Sequence, residues 1–301
     1  MKNQTTVGTL AVTATYIGWG LLSLFWNLLS EVSSVYILAQ RIIWSMVFMV
    51  FFMILTGKIG EIRELFHHRR NLRISFLAGI FITVNWGVYI YAINSGHVLD
   101  ASLGYFIEPI IVSVIGMIVF KERLSKWEKV TFFFSVVSLV YLIAVTKIVP
   151  VLALIIAGSF AVYGAIKKQI TLTAHTSLFA ESLLMTPFAL AFTVFADLNG
   201  LGSYGVLHGA SLILLPLCGI VTSVPLLLFN IGVKKIPYYF SGILMYINPT
   251  LQFLLGLFYF HEVFDLHRFI AFLIIWIGIA FTVYEKLRLI RTDSAQPENI
   301  S

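Results

Sequence analysis

The chain has 301 residues, of which 59% are hydrophobic and only 11% charged, with a mean hydropathy of +0.94. A soluble domain carries about 25% charged residues, so this composition excludes a soluble globular fold and indicates a polytopic membrane protein. The formal charge of +6 does not point to nucleic acid, because the basic residues sit in short segments between apolar runs.

Apolar runs of helix-spanning length fall at 8–28, 33–56, 73–94, 101–120, 128–146, 149–167, 174–196, 208–230, 239–260 and 266–286. A helix rising about 1.5 Å per residue needs about 20 residues to cross roughly 30 Å of hydrocarbon. The runs are apolar on both faces, which is not the alternation of a membrane β-barrel. The expected fold is therefore an all-α polytopic membrane protein with ten transmembrane helices. The first run follows Lys2 as a secretion signal would, but nine more spans come after it, so it reads as the first membrane helix. Seventeen of the twenty Lys and Arg residues lie on the side of the N-terminus, two (Lys147 and Arg268) on the other, and Arg41 lies within a span. This bias puts both termini in the cytoplasm. The segment GKIGEIRELFHHRRNLR at 57–73 is expected to rest on anionic headgroups, making membrane lipid a partner. Cys218 is the only cysteine, so no intrachain disulfide is possible.

The chain resembles itself at an offset of 140 residues. Ile107, Pro109, Gly116, Phe120 and Glu122 meet Ile247, Pro249, Gly256, Phe260 and Glu262; Glu108-Pro109 meets Asn248-Pro249, and Arg41 meets Glu181. Five helices is an odd number, so the second copy enters the membrane from the opposite side, as in the inverted repeats of many carriers. The expected divisions are a first five-helix repeat over 1–147, a second, inverted repeat over 148–287 and a disordered cytoplasmic tail over 288–301.

Charge at bilayer depth costs roughly 2.5–3.5 kcal/mol on insertion scales, and such residues face partners or wet cavities. From their span entrances Arg41 lies about 12 Å deep, Glu108 about 10 Å and Asn85 about 13 Å, all from the outer surface. Tyr89 sits one turn above Asn85 and Tyr105 one turn above Glu108, while Glu181 and Asn248 take the mirrored depth from inside. These groups read either as a buried ion pair locking helices or as a cavity that binds a polar or anionic part of a substrate. Arg41, Asn85, Trp86, Tyr89, Ser102, Tyr105, Glu108, Glu181, Tyr246 and Asn248 are the cavity candidates. Ser102, with Gly104, Gly242 and Gly256, also suits close helix packing. Trp19, Trp86, Tyr89 and Tyr246 are candidates for stacking on an aromatic substrate or closing a gate, with plain packing the alternative. Pro109 and Pro249 remove a backbone donor in mid-span and are hinge candidates. Glu122 and Glu262 read as salt-bridged helix ends. Glu108 or Glu181 is placed to carry a proton, so coupling to protons or another ion is expected.

The run 85–128, with Asn85-Trp86, Gly96-His97, Ser102-Leu103-Gly104-Tyr105-Phe106-Ile107, Pro109 and Glu122-Arg123-Leu124, resembles the RarD-type chloramphenicol-sensitivity permeases of the EamA branch of the drug/metabolite transporter superfamily. Gln40-Arg41-Ile42-Ile43-Trp44-Ser45 is similar to the family's His-Arg-x-x-Trp-Ser stretch, with Gln in place of His. The resemblance implies a ten-helix permease of the bacterial inner membrane, with a central cavity for a small metabolite or drug. It departs at Glu108, where the family pattern carries Asn; a carboxylate level with Arg41 would weaken its attraction for anions.

Other classes lack their signatures in the sequence. No G-x-S-x-G or pair of mid-span aspartates suggests a membrane-embedded enzyme, and no mid-span His suggests haem. Repeated selectivity elements of a channel and a Walker A motif are missing as well. No cofactor or metal is expected; a non-transporting receptor or scaffold stays open.

Overall fold

In hydrocarbon every backbone N–H and C=O must find its partner within the protein, and this chain meets that demand with helices. A computed structural model describes residues 2–29, 31–67, 69–94, 98–147, 151–202, 208–259 and 266–294. Its helices are α1 (Lys2–Asn27), α2 (Ser34–Leu55), α3 (Glu61–His67), α4 (Arg69–Asn94), α5 (Val98–Ile118), α6 (Lys126–Thr146) and α7 (Val151–Gln169). They continue with α8 (Ala174–Leu198), α9 (Leu214–Gly232), α10 (Tyr238–Met245), α11 (Ile247–Phe258) and α12 (Leu266–Ser294). A 3-10 turn at Gly209–Ile213 leads into α9, and no strand occurs among the described residues.

Among the described residues seven helical segments are long and apolar enough to cross a membrane: Gln4–Asn27, Ser34–Leu55, Arg69–Tyr89, Lys126–Thr146, Val151–Gln169, Ala174–Leu198 and Leu214–Gly232. Shorter apolar helices, Ile107–Ile118 in α5 and Phe269–Glu285 in α12, lie where two further spans are expected. The run at 239–260 is not one helix but two, α10 and α11, parted at Tyr246. Pro249 has no N–H to offer the Met245 carbonyl, and it disfavours α conformation at Asn248. The chain tightens instead: Tyr246 N–H reaches the Ile243 carbonyl at 3.4 Å, and Thr250 N–H returns to the Tyr246 carbonyl at 3.2 Å. Pro109, in the matching sequence position, lies within a continuous α5. At the other end α12 continues to Ser294, so residues 288–294 of the expected tail are helical; helix-forming Lys286, Leu287, Arg288 and Leu289 carry it on. Residues 295–301 lie outside those described, as does Glu262.

Helix ends are fixed by side chains. Ser125 and Glu128 form a capping box at α6, with Ser125 N–H donating to Glu128 Oε2 at 2.7 Å and Glu128 N–H to Ser125 Oγ at 3.2 Å. Glu122, just beyond α5, accepts from the first two N–H groups of α10, Tyr238 at 2.7 Å and Tyr239 at 3.0 Å, and lies 3.4 Å from Lys168. A carboxylate on a helix N-terminus is stabilised by the exposed N–H groups there.

The helices cross closely. α5 lies against α7 and α10, α6 against α12, α2 against α8 and α9, α4 against α7 and α8, and α1 against α9, α10 and α11. At the α5–α10 crossing a Cβ on Gly242 would fall 2.9 Å from the Pro109 carbonyl, so only glycine allows this approach. Tyr16, Tyr163, Phe229 and Tyr238 are fully buried inside, whereas Leu10, Phe51, Phe133, Phe188 and Leu198 stand exposed on the outside, as a lipid-facing surface requires.

Candidate functional site

Arg41, on α2, extends between indole rings. Its guanidinium carbon lies 4.6 Å from the Trp26 ring centroid and 4.1 Å from that of Trp86, and Nε donates to Thr222 Oγ1 at 3.1 Å. The flat, weakly hydrated guanidinium suits this setting better than an ammonium would, and each cation–π contact is worth about 0.5–2 kcal/mol, the upper end when desolvated. Arg41 lines an open cavity of about 710 Å³, mouth included. Asn85, Trp86 and Tyr89 reach it from α4, Glu108 from α5, Asn248 and Gln252 from α11. Asn85 Nδ2 donates to the Ile156 carbonyl of α7 at 2.7 Å, and Gln252 Nε2 donates to Asn248 Oδ1 at 3.0 Å. Glu108 and Asn248 are buried.

Toward α1's N-terminal end aromatic rings, mostly edge to face or tilted, pack beside the cavity. Trp19 and Phe160 line it, with ring centroids 5.4 Å apart. Behind them Phe229 lies 5.4 Å from Phe160 and 6.2 Å from Tyr163, and Tyr16 lies 5.7 Å from Trp19. Leu22, Ser23 and Trp26, nearer α1's C-terminal end, also line the cavity.

Glu181 is placed elsewhere. It forms a buried ion pair with Lys167 of α7, accepts from Ser177 Oγ at 3.1 Å, and accepts from the Tyr163 hydroxyl at 3.3 Å. It lines a separate cavity of about 340 Å³ together with Gly79 and Met185, and Trp86 forms part of the wall of both cavities. Tyr246, at the helix break, lines a third cavity with Pro109. Pro249 is buried at the start of α11. Ser102 and Tyr105 belong to α5, but their side chains lie outside the described residues.

Sequence reading did not pick out Trp26, Thr222, Gln252 or Lys167. Gln252 lies one helical turn from Asn248 on the same face, a signal available from spacing alone. Lys167, near the end of α7, reads as a loop-side charge until Glu181 is seen beside it.

Among the described residues outside the membrane-spanning helices, two side chains titrate away from their usual ranges. Burial, with the Lys167 charge adding to it and Glu181 opposing, brings Lys234 down to about 8; its Nζ donates to the Leu172 carbonyl at 2.6 Å. Burial pulls the Glu61 carboxyl upward, but hydrogen bonds from Thr176, Thr173 and His175 outweigh it and hold the group at about 2. Those contacts, at 2.6, 2.7 and 2.9 Å, tie α3 to the start of α8.

Residues 6–144 and 147–284 each match the EamA-like transporter family. The uncharacterized transporter YojE of Bacillus subtilis (strain 168) is 36% identical over 296 residues, covering 97% of this chain and 98% of its own. Protein RarD of Streptomyces exfoliatus is 35% identical over 298 residues, covering 99% of this chain and 94% of its own. A solved crystal structure, 16% identical, superposes with a TM-score of 0.71 over 96% of this chain and 99% of its own, which bears on the fold alone. With apolar helices, a cavity lined by intramembrane polar groups and near full-length relatives, this multi-pass membrane protein belongs to the EamA-like transporter family as a RarD-type member.

Proposed function

We propose that the protein is a secondary-active permease that carries a small metabolite or drug across the bacterial inner membrane by alternating access. Its ten spans form two inverted five-helix repeats, 1–147 and 148–287, with both termini in the cytoplasm. The packing supports this division. If each first-half helix is exchanged for its partner five spans on, the contact of α5 with α7 becomes that of α1 with α10 and α11, and the contact of α4 with α7 becomes that of α1 with α9. Likewise α2 against α9 becomes α4 against α8, and the pairs α6–α12 and α2–α8 map onto themselves.

Arg41 between its two indoles, in a cavity lined by polar groups from several helices, carries this reading. On this reading the cavity opens toward the side with few Lys and Arg, which the positive-inside rule makes the outer compartment. Arg41 takes a polar or anionic group of the substrate, while Trp19, Trp26, Trp86 and Tyr89 take its apolar or aromatic body. Asn85, Glu108 and Asn248 fix its orientation by hydrogen bonds. The rings from Tyr16 to Phe229 close the inner path and part when the repeats exchange. Pro109 within α5 and the break at Tyr246 before Pro249 supply the hinges. A proton or another ion provides the drive.

Purified protein in liposomes, screened for metabolite and drug flux with and without imposed proton and sodium gradients, tests the proposal. Saturable, gradient-dependent flux is expected. Turnover of a lipid or peptide would favour an enzyme, and specific binding without flux a receptor.

A further inference from the structure

Glu122 ties the two halves of the chain together at a distance from the main cavity. Glu108 lines that cavity, and α5 runs on for ten residues, about 15 Å, to Ile118 before the chain turns out to Glu122. On the other side of the seam Asn248 lines the cavity, and α10 begins ten residues earlier, at Tyr238. The two helices start at Val98 and Tyr238, 140 residues apart, which is the offset of the sequence repeat. Glu122 therefore joins one copy of a repeated helix to the N-terminus of the other.

The contacts at this end come from α7 and α10 of the second half and from the residues that follow α5. Glu122 Oε1 accepts from Tyr238 N–H at 2.7 Å and Oε2 from Tyr239 N–H at 3.0 Å, while Lys168 Nζ of α7 lies 3.4 Å from Oε1. Lys168 also sits 5.3 Å over the Phe120 ring, and that ring meets Tyr238 edge-on with centroids 5.6 Å apart. Tyr238 is fully buried, and its hydroxyl donates to the Ala161 carbonyl of α7 at 2.6 Å. Gly116 makes the room: a Cβ there would fall 2.7 Å from Glu122 Oε2 and 2.8 Å from Tyr239 N. One carboxylate and one ring of the first half are thus clasped between α7 and α10. Between this clasp and the cavity the seam stays tight, with Gly242 on the Pro109 carbonyl and the Tyr16 hydroxyl 3.0 Å from Ser241 Oγ.

A carboxylate on two helix N–H groups makes charge-assisted bonds, stronger than neutral ones, and the helix dipole and an ammonium add to them. Side-chain exposures of 13% for Glu122 and 16% for Lys168 also leave water within reach when the groups separate. Such a contact is firm when made and replaceable by water when broken. Packed apolar side chains lack the second property, and a reversible closure needs both.

We propose that Glu122 is the gating residue of this protein. Its hold on the N-terminus of α10 keeps that end of the α5–α10 seam shut while the main cavity is accessible, and its release opens the seam. Lys168 is a positioning residue that draws the carboxylate toward α7. The proposal rests on the carrier reading above, in which the halves exchange conformations and the Lys- and Arg-rich end of the seam faces the cytoplasm.

Single cysteines in a Cys218→Ser background test it, through their rates of reaction with a membrane-impermeant thiol reagent applied to vesicles of either orientation. Ser241→Cys, on the tight seam, reads the α10 end; Ser23→Cys, in the wall of the main cavity, reads the other. Glu122→Gln keeps the size of the side chain and removes its charge. It should raise the Ser241→Cys rate about tenfold from the Lys- and Arg-rich side, while the Ser23→Cys rate from the opposite side stays level or falls. Lys168→Met, which leaves both N–H bonds to Glu122 in place, should shift the rates the same way and less far. An unchanged Ser241→Cys rate would overturn the proposal, and so would a rise of both rates together, which is the mark of a helix cap that merely stabilises. The expected shift without flux of any compound keeps the gate and removes the carrier; saturable flux with both rates unchanged keeps the carrier and removes the gate.

Discussion

Replacing Arg41 by Lys keeps the charge and loses the plane. The ammonium cannot lie flat on Trp26 and Trp86, and the Nε bond to Thr222 goes with it. Loss of the flat guanidinium that presents its N–H groups to the substrate should raise the half-saturating substrate concentration roughly tenfold, and loss of about 0.5–2 kcal/mol per ring contact should also lower the thermal midpoint. The concentration dependence of flux in liposomes measures this, and a superposable curve would take Arg41 out of the site. A second prediction concerns Lys234, brought to about 8 by burial and by Lys167. Acylation of its amine, followed by mass spectrometry, should rise with a midpoint near pH 8. Lys167→Met should move the midpoint upward and Glu181→Gln downward, since one neighbour lowers the value and the other raises it. The folded value lies below the usual 10.5, so this group adds stability as pH rises between about 8 and 10.5 and none below that window. Six of the ten cavity candidates, Arg41, Asn85, Trp86, Tyr89, Glu108 and Asn248, line one cavity, as does Trp19. They were legible because polarity in mid-span is rare and depth follows from counting residues. Glu181 was legible as a buried charge but not in its place, because its partner Lys167 comes from a different helix and local spacing carries no record of that.

Glu181 and Lys167 fasten α8 to α7, with Ser177 and Tyr163 completing their hydrogen bonds. Glu181→Gln alone strands a buried ammonium and should destabilise by about 3–5 kcal/mol, while Glu181→Gln combined with Lys167→Met should recover most of that loss. Thermal or denaturant unfolding of the three variants decides; additive losses would mean the two side chains do not act as a pair. The positions of the apolar helices were readable from hydropathy, since length and composition alone govern crossing. The divided span was not. Pro109 and Pro249 share one local rule, yet α5 stays continuous and α10 parts from α11 at Tyr246. Proline removes a donor in both; whether the helix then bends or breaks depends on neighbours such as Gly242, packed on the Pro109 carbonyl.

For the whole molecule, the ten-span reading predicts that reporter fusions at both termini are active on the cytoplasmic side, while a tag inserted beside Lys147 is reachable from outside. Termini on opposite sides would refute an even number of crossings and with it the paired repeats. Length, composition and the distribution of basic residues are what point to this arrangement, and the multi-pass, all-helical character was readable from them; no local signal told how distant rings such as Trp19, Phe160 and Phe229 would meet. Trp86 is part of the wall of both the cavity around Arg41 and the cavity around Glu181. One indole thus borders both spaces, so any swing of its ring would reshape the two together.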